Sequence, residues 1–152
     1  MFEKSHDIAV LNSLIETTLD SIDGYRRSAE EATSGRFASE FLARAEERRR
    51  VVEELQQEVR RHGGTPEDDG SVLAAAHRAF LTIRDRVTGS DDKAVLAEVD
   101  RGETYLDEKW QAALRDDQLS PETRSVITRN YDSIRSGRER WEAVHRSFEA
   151  AS

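Results

Sequence analysis

The chain has 152 residues, of which 36% are charged and 36% hydrophobic, and its formal net charge is −8 at pH 7. This length suits one domain with a hydrophobic core, and we expect a single domain over residues 1–152. The absence of cysteine excludes disulfides, thiolate catalysis and cysteine–zinc sites, and the acidic balance argues against a general nucleic-acid binder.

The spacing of apolar residues predicts five helices and no strand, because none of the apolar segments alternates with a period of two. Turn-forming stretches rich in glycine, proline and aspartate separate the helices. The second helix should end at the pair Gly63–Gly64, and the last should open with Ser120 as N-cap and Pro121 as first helical residue. The predicted helices span about 5–32, 35–62, 70–87, 91–115, and from 121 onwards.

Each predicted helix carries one apolar stripe with spacings of three and four residues, which is typical of a helix in a bundle. Several positions on these stripes are not apolar side chains of ordinary size. Among them are Arg48 on the second helix, Gly102 on the fourth, and Asn130 and Gly137 on the fifth.

Four helices of about 25 residues would each be ~37 Å long at the rise of an α-helix, and the third would be shorter. We therefore predict an all-α fold, a ferritin-like four-helix bundle with an additional shorter helix (about 70–87) in the crossover. The alternative is a five-helix up-and-down bundle.

Four segments carry a resemblance to a known family: LNSLIETTLDSIDGYRRSAEEA (11–32), ARAEERRRVVEELQQEVRRHGGTPEDDGS (43–71), AHRAF (76–80) and VLAEVDRGETYL (95–106). They resemble the bacterial PA2169-type four-helix-bundle proteins, a domain-of-unknown-function family in the ferritin-like superfamily. The resemblance implies a ferritin-like bundle without an established activity. It also raises one hypothesis, a carboxylate-bridged dinuclear iron or manganese site.

Such a site needs glutamates and Glu-x-x-His pairs that point inward at one level of the bundle. The sequence contains two Glu-x-x-His matches, ending at His6 and His145. The first and last helices run parallel, so these two histidines should lie at opposite ends, and Glu142 should point away from its helix's stripe. We therefore treat Glu103, His77, Glu142 and His145 as weak metal candidates only.

A central polar layer is the better interpretation. Arg48 and Glu103 lie at similar depths in helices that run parallel, so we expect them to pair, with Arg138 or another donor close by. Guanidinium groups repel a dication, which opposes a metal at this level. Gly102 and Gly137 should let neighbouring helices approach closely there. His77, at the edge of the third helix's apolar face, completes the predicted layer as a hydrogen-bonded boundary residue.

We expect a cytoplasmic protein, because the sequence shows neither a secretory signal at its start nor an apolar run long enough for a membrane span. The favoured hypothesis is a bundle without metal or catalytic residues that acts by self-association as a homodimer or by binding a protein partner. A role in stress tolerance is implied by the superfamily resemblance alone. The alternatives are a dinuclear iron or manganese oxidase or peroxidase with unusual ligands, and a small-ligand binder at the central layer.

Overall fold

The computed structural model describes residues 3–69 and 92–151, and within these ranges every regular element is an α-helix. The bounds of the four helices, given below, differ from the predicted bounds by at most one residue. The predicted helix at about 70–87 lies outside the described residues. The four helices are α1 (Lys4–Glu31), α2 (Gly35–Arg61), α3 (Asp92–Leu114) and α4 (Pro121–Ala151).

The helices form a four-helix bundle in which α1 packs against α2 and α3, and α4 packs against the same two helices. Contacts between helix ends show the directions. Thr33, just after α1, donates its backbone N–H to Asp92 at the start of α3 (2.8 Å), and the Phe37 and Phe148 rings lie 5.4 Å apart. Neighbouring helices are therefore antiparallel, whereas α2 and α3 run parallel and face each other across the core.

The end of α2 is fixed by the two glycines that the sequence predicts for it. Gly63 has a φ of +84°, and its N–H donates to the Arg60 carbonyl, while the Gly64 N–H donates to the Val59 carbonyl. This is the Schellman arrangement, which favours glycine because of the positive φ. Gly64 also packs on α1, since a Cβ there would lie 2.8 Å from Ile8 Cδ1.

The start of α4 combines the predicted cap with a contact to α1. Ser120 Oγ accepts the backbone N–H of Thr123 at 3.3 Å, as an N-cap does. The Asp7 carboxylate accepts both the backbone N–H and the hydroxyl of Ser120, at 3.1 and 2.6 Å. The first turn of α1 is thereby joined to the first turn of α4.

One hydrophobic cluster joins all four helices, and the predicted stripes account for most of it. The stripe of α3 needs one correction. Glu103 is buried there, whereas Gly102, which we placed on the stripe, is exposed. Among the described helices, none combines the length and the apolar character needed to cross a membrane.

Candidate functional site

The most deeply buried charges of the central layer are Arg48 on α2 and Glu103 on α3. Only 2% of Arg48 and 3% of Glu103 are exposed. The guanidinium donates to both carboxylate oxygens of Glu103: Nη1 to Oε1, and Nη2 to Oε2 at 2.8 Å. Such a bidentate contact is the strongest geometry for an arginine and a carboxylate. The structure thus brings together the two residues that the sequence pairs.

Two residues of α1 complete the surroundings of Arg48. Its Nη1 also donates to Ser21 Oγ at 2.8 Å, and its Cζ lies 5.1 Å from the centre of the Tyr25 ring. Burial lowers the pKa of Arg48, but the hydrogen bond to Glu103 and the charge beside it leave that pKa above its ordinary value. Burial raises the pKa of the Tyr25 hydroxyl well above its ordinary value; the Arg48 charge opposes the rise and the Glu103 charge adds to it. Arg48 is therefore charged, and Tyr25 neutral, throughout the physiological range.

Gly137 on α4 lies against the side chain of Arg48, at the position where we expected it to let neighbouring helices approach closely. A Cβ on Gly137 would lie 3.3 Å from Arg48 Nη2, which is tighter than an ordinary contact. Gly102 does not have the corresponding role on α3. It is exposed, and a Cβ there would meet no atom within 4 Å, so our interpretation of Gly102 as space for a neighbouring helix is wrong.

Arg138 lies away from the pair that we expected it to join. Its Nη1 is 3.1 Å from Asp107 Oδ2, and its Nε is 3.2 Å from Glu142 Oε1. Asp107 follows Glu103 by one turn of α3 and also accepts the Tyr131 hydroxyl at 2.7 Å. The side chain of Arg138 thus crosses the outer part of the α3–α4 interface. His77, the remaining predicted member of the layer, lies outside the described residues.

The second guanidinium of the central layer belongs to Arg44, one helical turn before Arg48. Arg44 is only 6% exposed, and its Nη2 lies 3.1 Å from Glu47 Oε1. Its Nε and Nη1 are buried and make no hydrogen bond to any described residue. The charge that accompanies the Arg48–Glu103 pair is therefore a buried arginine on the same helix.

These residues do not fit a dinuclear metal site. Both oxygens of Glu103 are taken by Arg48, and two guanidinium groups lie at the same level, where a dication requires net negative ligands. Within residues 3–69 and 92–151, no three histidine or carboxylate side chains are grouped so that they could hold a metal ion.

The Glu-x-x-His matches are separated in the structure. His6 Nε2 lies 2.8 Å from Asp116 Oδ2 at one end of the bundle. Towards the other end, His145 lies between Asp100 and Glu149, with Nδ1 2.9 Å from Asp100 Oδ2. Glu142 pairs with Arg138 and does not face a common site with His145, which contacts Asp100 and Glu149.

A second buried polar group, which the sequence did not reveal, lies where α2 ends and α4 begins. The Thr123 hydroxyl donates to Asp7 Oδ2 at 2.9 Å and lies 2.9 Å from His62 Nε2. The same histidine nitrogen is 3.5 Å from Oε2 of the fully buried Glu58. This is not a hydrolase triad, because the carboxylate does not orient the opposite imidazole nitrogen and Thr123 is fully buried. The group joins three helices at one end of the bundle.

Sequence reasoning also missed the burial of Arg44 and Asp7, although the spacing carried a signal for both. Arg44 precedes Arg48 by four residues, and Asp7 precedes Leu11 by four, so each lies next to a stripe residue on its helix. A charged residue at the margin of a stripe is usually solvated, which made the signal weak.

A comparison with protein families gives one match, over residues 6–116, to a family described as "Domain of unknown function (DUF2383)". The match includes all of α2 and α3, and with them Arg44, Arg48 and Glu103. A comparison with curated proteins finds no match.

Proposed function

The chain belongs to the family of domains of unknown function designated DUF2383, and from this premise we propose that it is a helical bundle without a metal centre or catalytic residues. It acts by associating with a second copy of itself or with a protein partner. The family match includes α2 and α3, which carry Arg48 and Glu103. The residues on which the proposal rests therefore lie in the matched part of the chain.

The main support for the proposal is that both carboxylate oxygens of Glu103 bind Arg48. In a dinuclear carboxylate protein, the glutamates at this level bind metal. Here the Arg48 guanidinium occupies both oxygens of Glu103, and Arg44 adds a second positive charge. The cation that balances the central carboxylate is thus part of the chain itself.

We also place the chain among the PA2169-type proteins of the ferritin-like superfamily, which the order of its helices supports. The end of α2 and the start of α3 lie at opposite ends of the bundle, as do the ends of two helices that a ferritin-like crossover connects. Bacterial origin, a cytoplasmic location and a role in stress tolerance belong to the same proposal and rest on this resemblance.

The metal content of the purified protein tests the proposal. We expect much less than one iron or manganese per chain after growth with both metals in excess, as measured by plasma mass spectrometry. Near-stoichiometric metal that is lost in Glu103→Ala, and kept in Glu108→Ala on the exposed side of the same helix, would contradict it. That result would favour the dinuclear oxidase or peroxidase alternative.

Light scattering after size exclusion tests self-association. A homodimer should have twice the chain mass of 17.3 kDa. Leu42 and Tyr105 are the exposed large apolar side chains of the described residues, at 52% and 54% exposure. If either lies in the contact, its replacement by serine should shift the protein towards the monomer. A monomer at high concentration would leave partner binding as the mode of action.

A further inference from the structure

Two buried side chains at the centre of the bundle have donors without acceptors. Arg44 is 94% buried, and neither its Nε nor its Nη1 makes a hydrogen bond within the described part of the chain. The hydroxyl of Tyr25, which is 97% buried, makes no hydrogen bond of ordinary geometry there, and the nearby Glu103 carboxylate adds to the rise of its pKa. Leaving such buried donors unpaired destabilises the folded state, and an unpaired charged group destabilises it more than a neutral one. Folded proteins therefore supply an acceptor at such places.

These donors belong to one region. The position of a Cβ on Gly137 would be 3.3 Å from Arg48 Nη2 and 3.7 Å from Arg44 Cδ, so both arginines pass the same point of α4. Arg48 in turn lies over the Tyr25 ring, with Cζ 5.1 Å from its centre. The charge of Arg44 also acts on the Tyr25 hydroxyl, where it opposes the rise in pKa that burial causes.

The balance of buried charge in this layer is positive. Arg44 and Arg48 are buried cations, and Glu103 is the buried anion that faces them, which leaves one positive charge in excess. Glu47 offsets part of this excess, but it is 27% exposed, and its Oε1 also binds Arg140, 2.9 Å away at the surface. A buried cation with incomplete compensation favours an anion as the missing partner.

We propose that Arg44 and Tyr25 form a binding site for one small oxyanion beside the Arg48–Glu103 pair. The planar guanidinium has two edges with paired donors, Nε–H with Nη2–H and Nη1–H with Nη2–H. Glu47 contacts Nη2, which has two hydrogens, and the remaining edge matches two oxygens of a carboxylate or phosphate. The Tyr25 hydroxyl remains protonated and donates a further hydrogen bond. The site is additional to the proposed function, and its test is independent of metal content.

Isothermal titration of the full chain with inorganic phosphate tests the site, with sodium chloride adjusted to hold the ionic strength constant. We expect saturable binding of one phosphate, and binding that is weakened about tenfold or more in Arg44→Met, because one charged hydrogen-bonding group is lost. Tyr25→Phe, which removes only the hydroxyl, should weaken binding severalfold. Arg49→Met is the matched control, since Arg49 is exposed on the same helix, and it should bind as the wild type does.

Titration with acetate separates the two sources of the oxyanion. Saturable binding of acetate but not of phosphate identifies a carboxylate ligand, and the reverse identifies a phosphate ligand. Arg44→Met keeps the apolar stem of the side chain and should fold, which circular dichroism verifies. Arg44→Lys, which keeps the charge but loses the fork, provides a second variant and should also bind weakly.

The proposal is overturned if the wild type binds neither anion, because water molecules then accept the hydrogen bonds of Arg44 and Tyr25. It is also overturned if Arg44→Met and Arg44→Lys bind as tightly as the wild type, since the anion then lies elsewhere.

Discussion

The buried pair of Arg48 and Glu103 constrains the alignment of two helices. Each side chain is almost fully removed from water, and neither would be tolerated there without the other. The pair spans two helices that do not pack side by side, so it sets the level of α2 relative to α3. A charge pair at the core of a bundle is better suited to specifying one alignment than to adding stability.

Replacement of Glu103 by glutamine should lower the free energy of unfolding by about 3 kcal/mol, because it leaves the buried guanidinium without a counter-charge. Urea denaturation followed by circular dichroism measures the change. Glu108→Gln is the control, on the exposed side of the same helix, and should have little effect. The double replacement Arg48→Met with Glu103→Leu should recover most of the loss. An unchanged midpoint in Glu103→Gln would mean that the pair does not form.

The pair itself could be predicted from the sequence, whereas the role of Arg44 could not. Arg48 falls on a regular apolar stripe, where a charge demands a partner, and Glu103 lies at a similar depth of a parallel helix. Arg44 lies at the margin of the stripe, where a long side chain can reach water or turn inward. It is buried against a different helix, where a Cβ on Gly137 would lie 3.7 Å from Arg44 Cδ.

At the scale of the helix, the two glycines of the central region differ in their surroundings. Gly102 is exposed in the middle of α3 and has open space where a Cβ would be, while Gly137 is buried against Arg48. Glycine in a helix interior costs up to about 1 kcal/mol relative to alanine. At Gly137 a larger side chain would press against Arg48, which accounts for the glycine. At Gly102 a Cβ would contact no atom, and nothing in the structure accounts for the glycine.

Gly102→Ala should therefore raise the free energy of unfolding by about 0.5–1 kcal/mol, from helix propensity alone. Gly137→Ala gains the same propensity but presses a methyl group against Arg48 Nη2, so we expect a smaller gain or a loss. Thermal unfolding of the two variants under identical conditions provides the comparison. If Gly137→Ala is stabilised as much as Gly102→Ala, the contact between Gly137 and Arg48 does not constrain the helices.

At the scale of the whole molecule, Asp7 joins elements that are far apart in sequence. It accepts hydrogen bonds from Ser120 and Thr123 at the start of α4, and Thr123 contacts His62 at the end of α2. Burial by itself would raise the pKa of Asp7, but the hydrogen bonds from Ser120 and Thr123 outweigh burial and hold that pKa below the ordinary value of 3.8. The folded protein therefore favours the charged carboxylate.

This pKa predicts a loss of stability in acid. Because the folded pKa lies below the unfolded one, the contribution of Asp7 is fully present above the unfolded value and is lost as pH falls through the folded value. Asp7→Asn should be less stable than the wild type at pH 7, and the difference should shrink below about pH 4. Denaturant midpoints from pH 7 to about pH 3 measure it. Asp132→Asn, at an exposed position of α4, is the control, and a pH-independent difference for Asp7→Asn would refute the linkage.

The sequence by itself determined the four helices of the described residues, their apolar stripes and the pairing of Arg48 with Glu103. These features are local or periodic: caps and glycines end a helix, and a rotation of about 100° per residue fixes which side chains share a face. Only the tertiary structure decided that Gly102 is exposed, that Arg138 binds Asp107, and that Arg44 is buried beside Gly137. Each of these depends on how one helix is rotated against its neighbours, and many contacts distant in sequence set that rotation together.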